Sequence, residues 1–295
     1  MTRIESPTRR AADRYGLAPP GRGGGLLEVV RHRYLLHLLV RKDLKVRYQG
    51  SVLGMGWSYI KPAIRFGVYF FIIGMVLGLR KSVPNFPVYI FCGLSIITFF
   101  NEMFNSTTRS IRSNKALIRK VYVPREMFPV ASVLVSAVHF FPQLAILLVA
   151  AAITGWVPSF TAVGAAVLGF AIVAALGMGV GLLFSACNVF FRDFEKIVDV
   201  LNIVIRWSAP MIYPFHLVYE ALGGGWPLQV YLANPLVSSV SLFQRAFWFP
   251  TIQGGHQFPP HLFLRGLAEL GACLLLIGVA QVVFSRLETR FAEAL

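Results

Sequence analysis

Residues 114–125 read Asn-Lys-Ala-Leu-Ile-Arg-Lys-Val-Tyr-Val-Pro-Arg, with Lys115, Arg119, Lys120 and Arg125 crowded between two long apolar runs. So dense a cluster of cations is too costly to place in hydrocarbon. It reads as a short cytosolic connection between membrane spans, stiffened by Pro124 and presented to something outside the bilayer. A membrane protein with such a handle and no nucleotide site of its own is expected to be driven by a soluble partner.

The rest of the 295 residues supports the membrane reading, with 56% hydrophobic and 14% charged residues and a mean hydropathy of +0.64. A soluble domain carries about 25% charged residues. By the rule that ~20 apolar residues cross a bilayer, the spans fall at 57–79, 88–111, 127–153, 161–184, 197–213 and 267–284. The expected fold is an all-α integral membrane protein of six transmembrane helices. The net charge of +15 would point to nucleic acid on a soluble surface. Here the basic residues collect in loops beside apolar runs, where they set topology and touch anionic lipid, so no nucleic-acid partner is expected. Cys92, Cys187 and Cys273 each lie within an apolar run, without C-x-x-C or neighbouring His, and read as small hydrophobic residues.

Residues 1–25 are polar and rich in Arg, Pro and Gly with no apolar core, which fits a disordered cytosolic tail and not a cleaved signal peptide. Residues 26–48 set Leu27, Val30, Tyr34 and Leu38 at helical spacing among Arg31, Arg33, Arg41, Lys42, Lys45 and Arg47. The charges are too dense to span, so this is an amphipathic interface helix along the headgroups. Residues 49–290 form the six-span domain, and 291–295 a second cytosolic tail. Of the 28 Lys and Arg residues, 23 fall on one side of this arrangement. The positive-inside rule makes that side cytosolic, with both termini and the 114–125 handle.

Between spans five and six, residues 215–264 carry many aromatic residues broken by Gly223-Gly224-Gly225, Asn234-Pro235 and Phe249-Pro250. Short re-entrant helices fit this stretch better than a seventh span, which would put Arg286 and Arg290 outside. Its rings are either an interfacial belt or a platform for sugar C–H faces near an exit. Polar residues inside spans form stripes: Asp199, Asn202 and Arg206 on one face of span five, Glu102, Asn105, Arg109 and Arg112 on span two, and His139 and Gln143 on span three. Such stripes either join helices or border a water-filled path. Gly177-Met178-Gly179-Val180-Gly181 lies mid-span and favours close helix packing over phosphate binding. Gly74 and Gly78 repeat the G-x-x-x-G spacing in span one.

No G-x-x-x-x-G-K-[ST], no H-E-x-x-H and no Ser/His/Asp arrangement occurs, so neither ATPase nor hydrolytic chemistry is expected from this chain. A self-powered secondary transporter would need mid-span coupling carboxylates and internal repeats. A membrane-embedded glycosyltransferase would need an acidic cluster in a loop. The 13 acidic residues are scattered singly, so both alternatives are weak.

Arg47-Tyr48-x-Gly50-Ser51-x-Leu53-Gly54-x-x-Trp57 with Pro62, Asn114-x-x-Leu117-Ile118-x-Lys120-Val121-x-x-Pro124-Arg125 with Pro129, Phe191-Arg192-Asp193, Pro210-Met211-Ile212-Tyr213-Pro214 and Asn234-Pro235 together resemble the permease subunits of ABC polysaccharide exporters. These export O-antigen, teichoic acid, capsule or galactan on a lipid carrier, and the Arg-rich composition looks most like the actinobacterial galactan branch. The resemblance implies a homodimer in a bacterial cytoplasmic membrane, paired with two copies of a separate ATPase that binds ATP and Mg, and no cofactor on this chain. It implies a coupling helix at about 114–123, with Asn114, Leu117, Ile118, Arg119, Lys120 and Arg125 contacting the ATPase and Arg192 and Asp193 making a second contact. The channel would take Glu102, Asn105, Asp199, Asn202 and Arg206. An external gate at about 215–250 would use Tyr213, Tyr219, Trp226 and Phe247, and Arg47, Lys61 and Arg65 are candidates for a lipid phosphate.

A cysteine replacing Ala116 is expected to resist an impermeant maleimide added to intact cells and to react once the membrane is permeabilised. Labelling from outside would invert the topology.

Overall fold

The computed structural model describes residues 25–121, 123–252 and 257–291. Most of the two expected tails, 1–24 and 292–295, and Tyr122 of the handle lie outside them. The described residues are helical throughout, with no strand. Two short helices come first, α1 (Gly25–Arg31) and α2 (Arg33–Tyr48). Five helices are long and apolar enough to cross a membrane: α3 (Gly54–Val76), α4 (Phe86–Ser113), α6 (Met127–Ile153), α7 (Phe160–Phe190) and α12 (Leu262–Glu288). Between α4 and α6 the handle folds one short turn, α5 (Lys115–Ile118). After α7 come α8 (Asp193–Ser208), α9 (Phe215–Leu222), α10 (Trp226–Leu232) and α11 (Pro235–Phe243).

The chain is built around α4. Tyr89, Ile90, Cys92, Ile96 and Met103 have no exposed surface, and α6, α7, α8 and α11 pack about them. Its aromatic residues tie it to its neighbours: Phe99 stacks parallel to Phe170 of α7 at 5.3 Å and meets Phe140 of α6 at 4.9 Å, while Phe140 touches Phe243 of α11. Large rings at such spacings add about 0.5–1.5 kcal/mol per pair beyond their burial.

The glycine run in α7 serves packing on two sides. A Cβ on Gly177 would strike the Met103 side chain, and one on Gly181 would come 2.7 Å from Thr107 Cγ2; both neighbours belong to α4. Gly179, two residues away and so on the opposite face, instead receives Leu276 of α12 at 3.0 Å. In α3, Gly74 lies against Phe86, whereas Gly78 adopts a left-handed conformation (φ 78°) that ends the span, so only the first of that pair is a packing glycine.

Two expectations need correction. Span five, expected over 197–213, is a helix over Asp193–Ser208 followed by an irregular turn, and it is not among the five long apolar helices. Pro210 is the cause. It has no N–H to continue the ladder, and it drives Ala209 into an extended conformation (φ −118°, ψ 153°). The turn is buried, and its freed carbonyls find partners: Tyr89 Oη lies 3.1 Å from Pro210 O and 2.9 Å from Tyr213 O, and Gln244 Nε2 donates to Pro210 O at 2.8 Å. Gly93 of α4 lies directly beneath, so that a Cβ there would sit 2.8 Å from Met211 Cα.

The second correction concerns the 26–48 segment, expected as one helix. Leu27, Val30, Tyr34 and Leu38 are exposed, and the face that packs carries Val29, Leu35, Leu36, Leu39 and Val40 against Met127, Phe128 and Ala131 at the start of α6. The segment is also two helices, joined at His32.

The 215–250 stretch is a chain of short helices, and α11 is buried along its whole length between α7, α4 and α12. Asn234-Pro235 starts it: the Asn234 side chain accepts from Leu236 N and donates to Ser208 Oγ at 3.1 Å, with Pro235 in the first helical position, where its missing N–H costs nothing.

Gly93→Ala is expected to lower stability by about 1–3 kcal/mol through overpacking against the 209–214 turn. Gly164→Ala, where an added Cβ meets nothing within 4 Å, should shift it by less than about 1 kcal/mol, the scale of the helix-propensity difference. Thermal melting in detergent compares the two.

Candidate functional site

Midway along α4 and α8 the structure forms a half-open cavity of about 740 Å³ with many polar side chains in its wall. It collects the stripes that the sequence had placed on separate helices. Thr98, Asn101, Glu102 and Asn105 come from α4, His139 and Gln143 from α6, and Asp199, Asn202 and Arg206 from α8. Arg47 and Tyr48 enter from the end of α2, and Trp57, Lys61 and Arg65 from α3. Channel candidates and lipid-phosphate candidates thus share one space.

Glu102 organises the wall. Its Oε1 lies 2.8 Å from Arg47 Nη1 and 2.5 Å from His139 Nδ1, so one carboxylate fastens the end of α2 to α4 and α6. Tyr48 meets the His139 ring edge-on and exchanges a 2.5 Å hydrogen bond with Ser58 of α3. Arg65 donates to Thr98 Oγ1 at 2.9 Å, and Lys61 Nζ lies over the Trp57 ring. A cavity with four cations, two carboxylates and rows of amide and hydroxyl groups suits a hydrated, hydroxylated or anionic ligand better than an apolar one. Asn202 is buried with its Oδ1 unpartnered and its residue on the cavity wall.

Below the cavity, Arg109 and Arg112 of the expected α4 stripe turn to Glu195, a residue that sequence reasoning passed over. Arg109 Nε and Arg112 Nη1 each lie 3.3 Å from this carboxylate, and Arg109 Nη2 lies 3.7 Å from Asp199. The available signal was the acid one turn into a helix beginning Arg192-Asp193, but nothing in the chain order showed which cations it would meet.

The residues assigned to ATPase coupling divide into two groups. Arg119 and Lys120 are exposed, as are Arg192 and Asp193 at the α7–α8 junction. Leu117 and Ile118 pack inward, and Asn114 accepts from Lys42 Nζ at 2.6 Å while donating to Ser110 O. Arg125 bonds the backbone carbonyl of Glu288 and lies over the Phe291 ring. The inward set holds the handle to α2 and α12, and the outward set lies on the surface.

The aromatic gate is not one group. Tyr219 and Trp226 are exposed, but Phe247 is 5% exposed and packs on Phe243 and Trp156, so it belongs to the core and cannot line an opening. Tyr213 is half-buried, donating to Trp207 O at 2.7 Å and lying 3.5 Å from the Tyr231 hydroxyl.

Residues 34–248 match the family of ABC-2 type transporters. The chain belongs to that family. Among relatives from the same comparison, the O-antigen export system permease protein RfbA of Klebsiella pneumoniae is 29% identical over 265 residues, covering 89% of this chain and 96% of the relative. The RfbA protein of Myxococcus xanthus is 28% identical, covering 91% and 98%. The polysialic acid transport protein KpsM of Escherichia coli is 23% identical, covering 82% and 90%. The resemblance read from the motifs is met by these relatives. As an ABC-2 transporter chain this is a multi-pass membrane protein acting as a transport subunit.

Glu102→Ala leaves the buried His139 and Arg47 without their common acceptor and is expected to cost about 1–3 kcal/mol. Asp199→Ala removes a carboxylate whose side chain is 62% exposed, and should cost less than about 1 kcal/mol. Melting of the two variants in detergent checks the order.

Proposed function

We propose that this chain is the membrane subunit of an ATP-driven exporter of a lipid-linked polysaccharide of the O-antigen, teichoic acid or galactan kind. The observation that carries the reading is the cavity itself, in which polar side chains from α3, α4, α6 and α8 and the end of α2 meet. Helix glue would satisfy these groups pairwise and leave no hydrated space. The names of the relatives, which are export permeases for O-antigen and a transport protein for polysialic acid, support the same substrate class.

In this reading the chain works as a homodimer with two copies of a separate ATPase, which binds the ATP and Mg2+; this chain binds no cofactor. The helices beside the cavity, α3 and α8, expose apolar faces (Ile64, Val68 and Phe71; Val200, Ile203 and Trp207) that a second copy would cover. The conduit then runs between copies, with Asp199, Asn202, Arg206, Glu102 and Asn105 on its wall. Helix α8 together with the 209–214 turn makes the sixth crossing, and α9 to α11 re-enter from the outer leaflet. Both termini and the handle face the cytosol. Arg47, Lys61 and Arg65 meet the phosphate of the lipid carrier near the inner leaflet, while Tyr213, Tyr219 and Trp226 face the leaving sugar chain.

Closure of the ATPase dimer pushes the exposed Arg119 and Lys120, and packed helices carry the displacement to the cavity walls. A polymer longer than the membrane is thick moves by repeated short steps, since no single enclosure could hold it.

Reversing charge in Arg119→Glu together with Lys120→Glu is expected to abolish export and release or uncouple the ATPase while the chain still inserts. Glycan export and ATPase copurification measure this, and normal export by the double variant would remove the coupling role of the handle.

A further inference from the structure

We infer that Glu195 is the positioning residue that links the handle to the α8 wall of the cavity, an inference that rests on the ATPase-driven reading above. Helix α8 packs along one side only. Val198 and Asn202 are buried and Leu201 and Ile205 are partly buried against the core, while Ile197, Val200, Ile203, Val204 and Trp207 are exposed. Its hydrogen-bonded attachments lie at its ends. At the far end Ser208 accepts from Asn234, and Trp207 O accepts from Tyr213. At the near end, Glu195 gathers three donors: Arg109 Nε at 3.3 Å on one oxygen, and Arg112 Nη1 at 3.3 Å and Asn188 Nδ2 at 3.2 Å on the other.

Arg109 and Arg112 occupy the end of α4 that leads into the handle at Asn114. Asn188 is fully buried in the last turns of α7, and its Nδ2 also donates to Thr108 O at 3.1 Å. One carboxylate therefore joins the ends of α4 and α7 to the start of α8. A rod bonded at its ends and packed along one side only follows its ends when they move, because packing on a single face resists it less than a full shell would. Displacement of the handle shifts Arg112, Arg112 pulls on Glu195, and α8 carries Asp199, Asn202 and Arg206 across the cavity. Removing the carboxylate leaves two guanidinium groups facing each other there, with Asp199, 3.7 Å from Arg109, as the nearby acid.

The test uses the full chain assembled with its ATPase in nanodiscs, carrying spin labels at Ile197→Cys on α8, outside the residues assigned to the second copy, and Val149→Cys on α6, both exposed positions, in a Cys187→Ser background. The distance between labels is measured without nucleotide and with ATP and vanadate. The parental complex is expected to show a nucleotide-dependent shift. In Glu195→Gln, which keeps the size of the side chain but not its charge, the fraction of complexes that shift should fall by about fivefold or more, the scale of a broken coupling. Assembly and basal ATP hydrolysis should persist, and Glu195→Asp should recover most of the shift. A Gln variant with the parental shift overturns the inference, and so does one that no longer assembles, since Glu195 would then serve folding. A parental complex with no shift at all, although assembled and hydrolysing ATP, overturns the ATPase-driven reading itself.

Discussion

In an apolar surrounding every backbone carbonyl and N–H must find a partner within the protein, and this chain meets that demand at one difficult place. The Pro210-to-Pro214 turn interrupts a helix in the middle of the fold. Without Tyr89 and Gln244 its carbonyls would be buried and unpaired, and without Gly93 the turn could not reach them. Three residues from α4 and the α11 region thus make the break possible. The break in turn shortens α8 and sends the chain on toward the buried helix α11. The stretch of α8 before it supplies Asp199, Asn202 and Arg206 to the cavity wall.

The same economy appears in the charged groups. Glu102 and Glu195 each hold more than one cation or donor, and each joins elements distant in the sequence: α2, α4 and α6 in the first case, α4, α7 and α8 in the second. Carboxylates are scarce in this chain and cations plentiful, so each acid becomes a shared fixture. Both lie close to the cavity, Glu102 in its wall and Glu195 below it.

Much of this was legible in the chain order. The third span matches its expected bounds at 127–153, because the run holds no Asp, Glu, Lys or Arg and ends in Thr154-Gly155. The polar stripes were visible as helical periodicity, but periodicity fixes only which residues share a face, not which faces meet. Their convergence on one cavity, and Glu195 as the partner of Arg109 and Arg112, depend on how helices rotate against one another. For residues 26–48 the sequence offers two apolar stripes; Met127, Phe128 and Ala131 cover the one with Leu35, Leu36 and Leu39, a partner that periodicity alone does not name. Phe247 was misread for a related reason: composition shows an aromatic-rich stretch, but ring burial depends on the turn that places α11 inside the bundle.

The glycines of α7 have a consequence for the order in which the fold assembles. Gly177 and Gly181 admit α4, while Gly179 opens on the far side toward α12. Helices α4 and α7 both precede α12 in the chain, so the groove that receives Leu276 is already shaped when α12 arrives. A bulky side chain at 179 would leave the earlier helices properly paired and strand only the latecomer at the lipid boundary, which makes the defect one of docking and not of insertion.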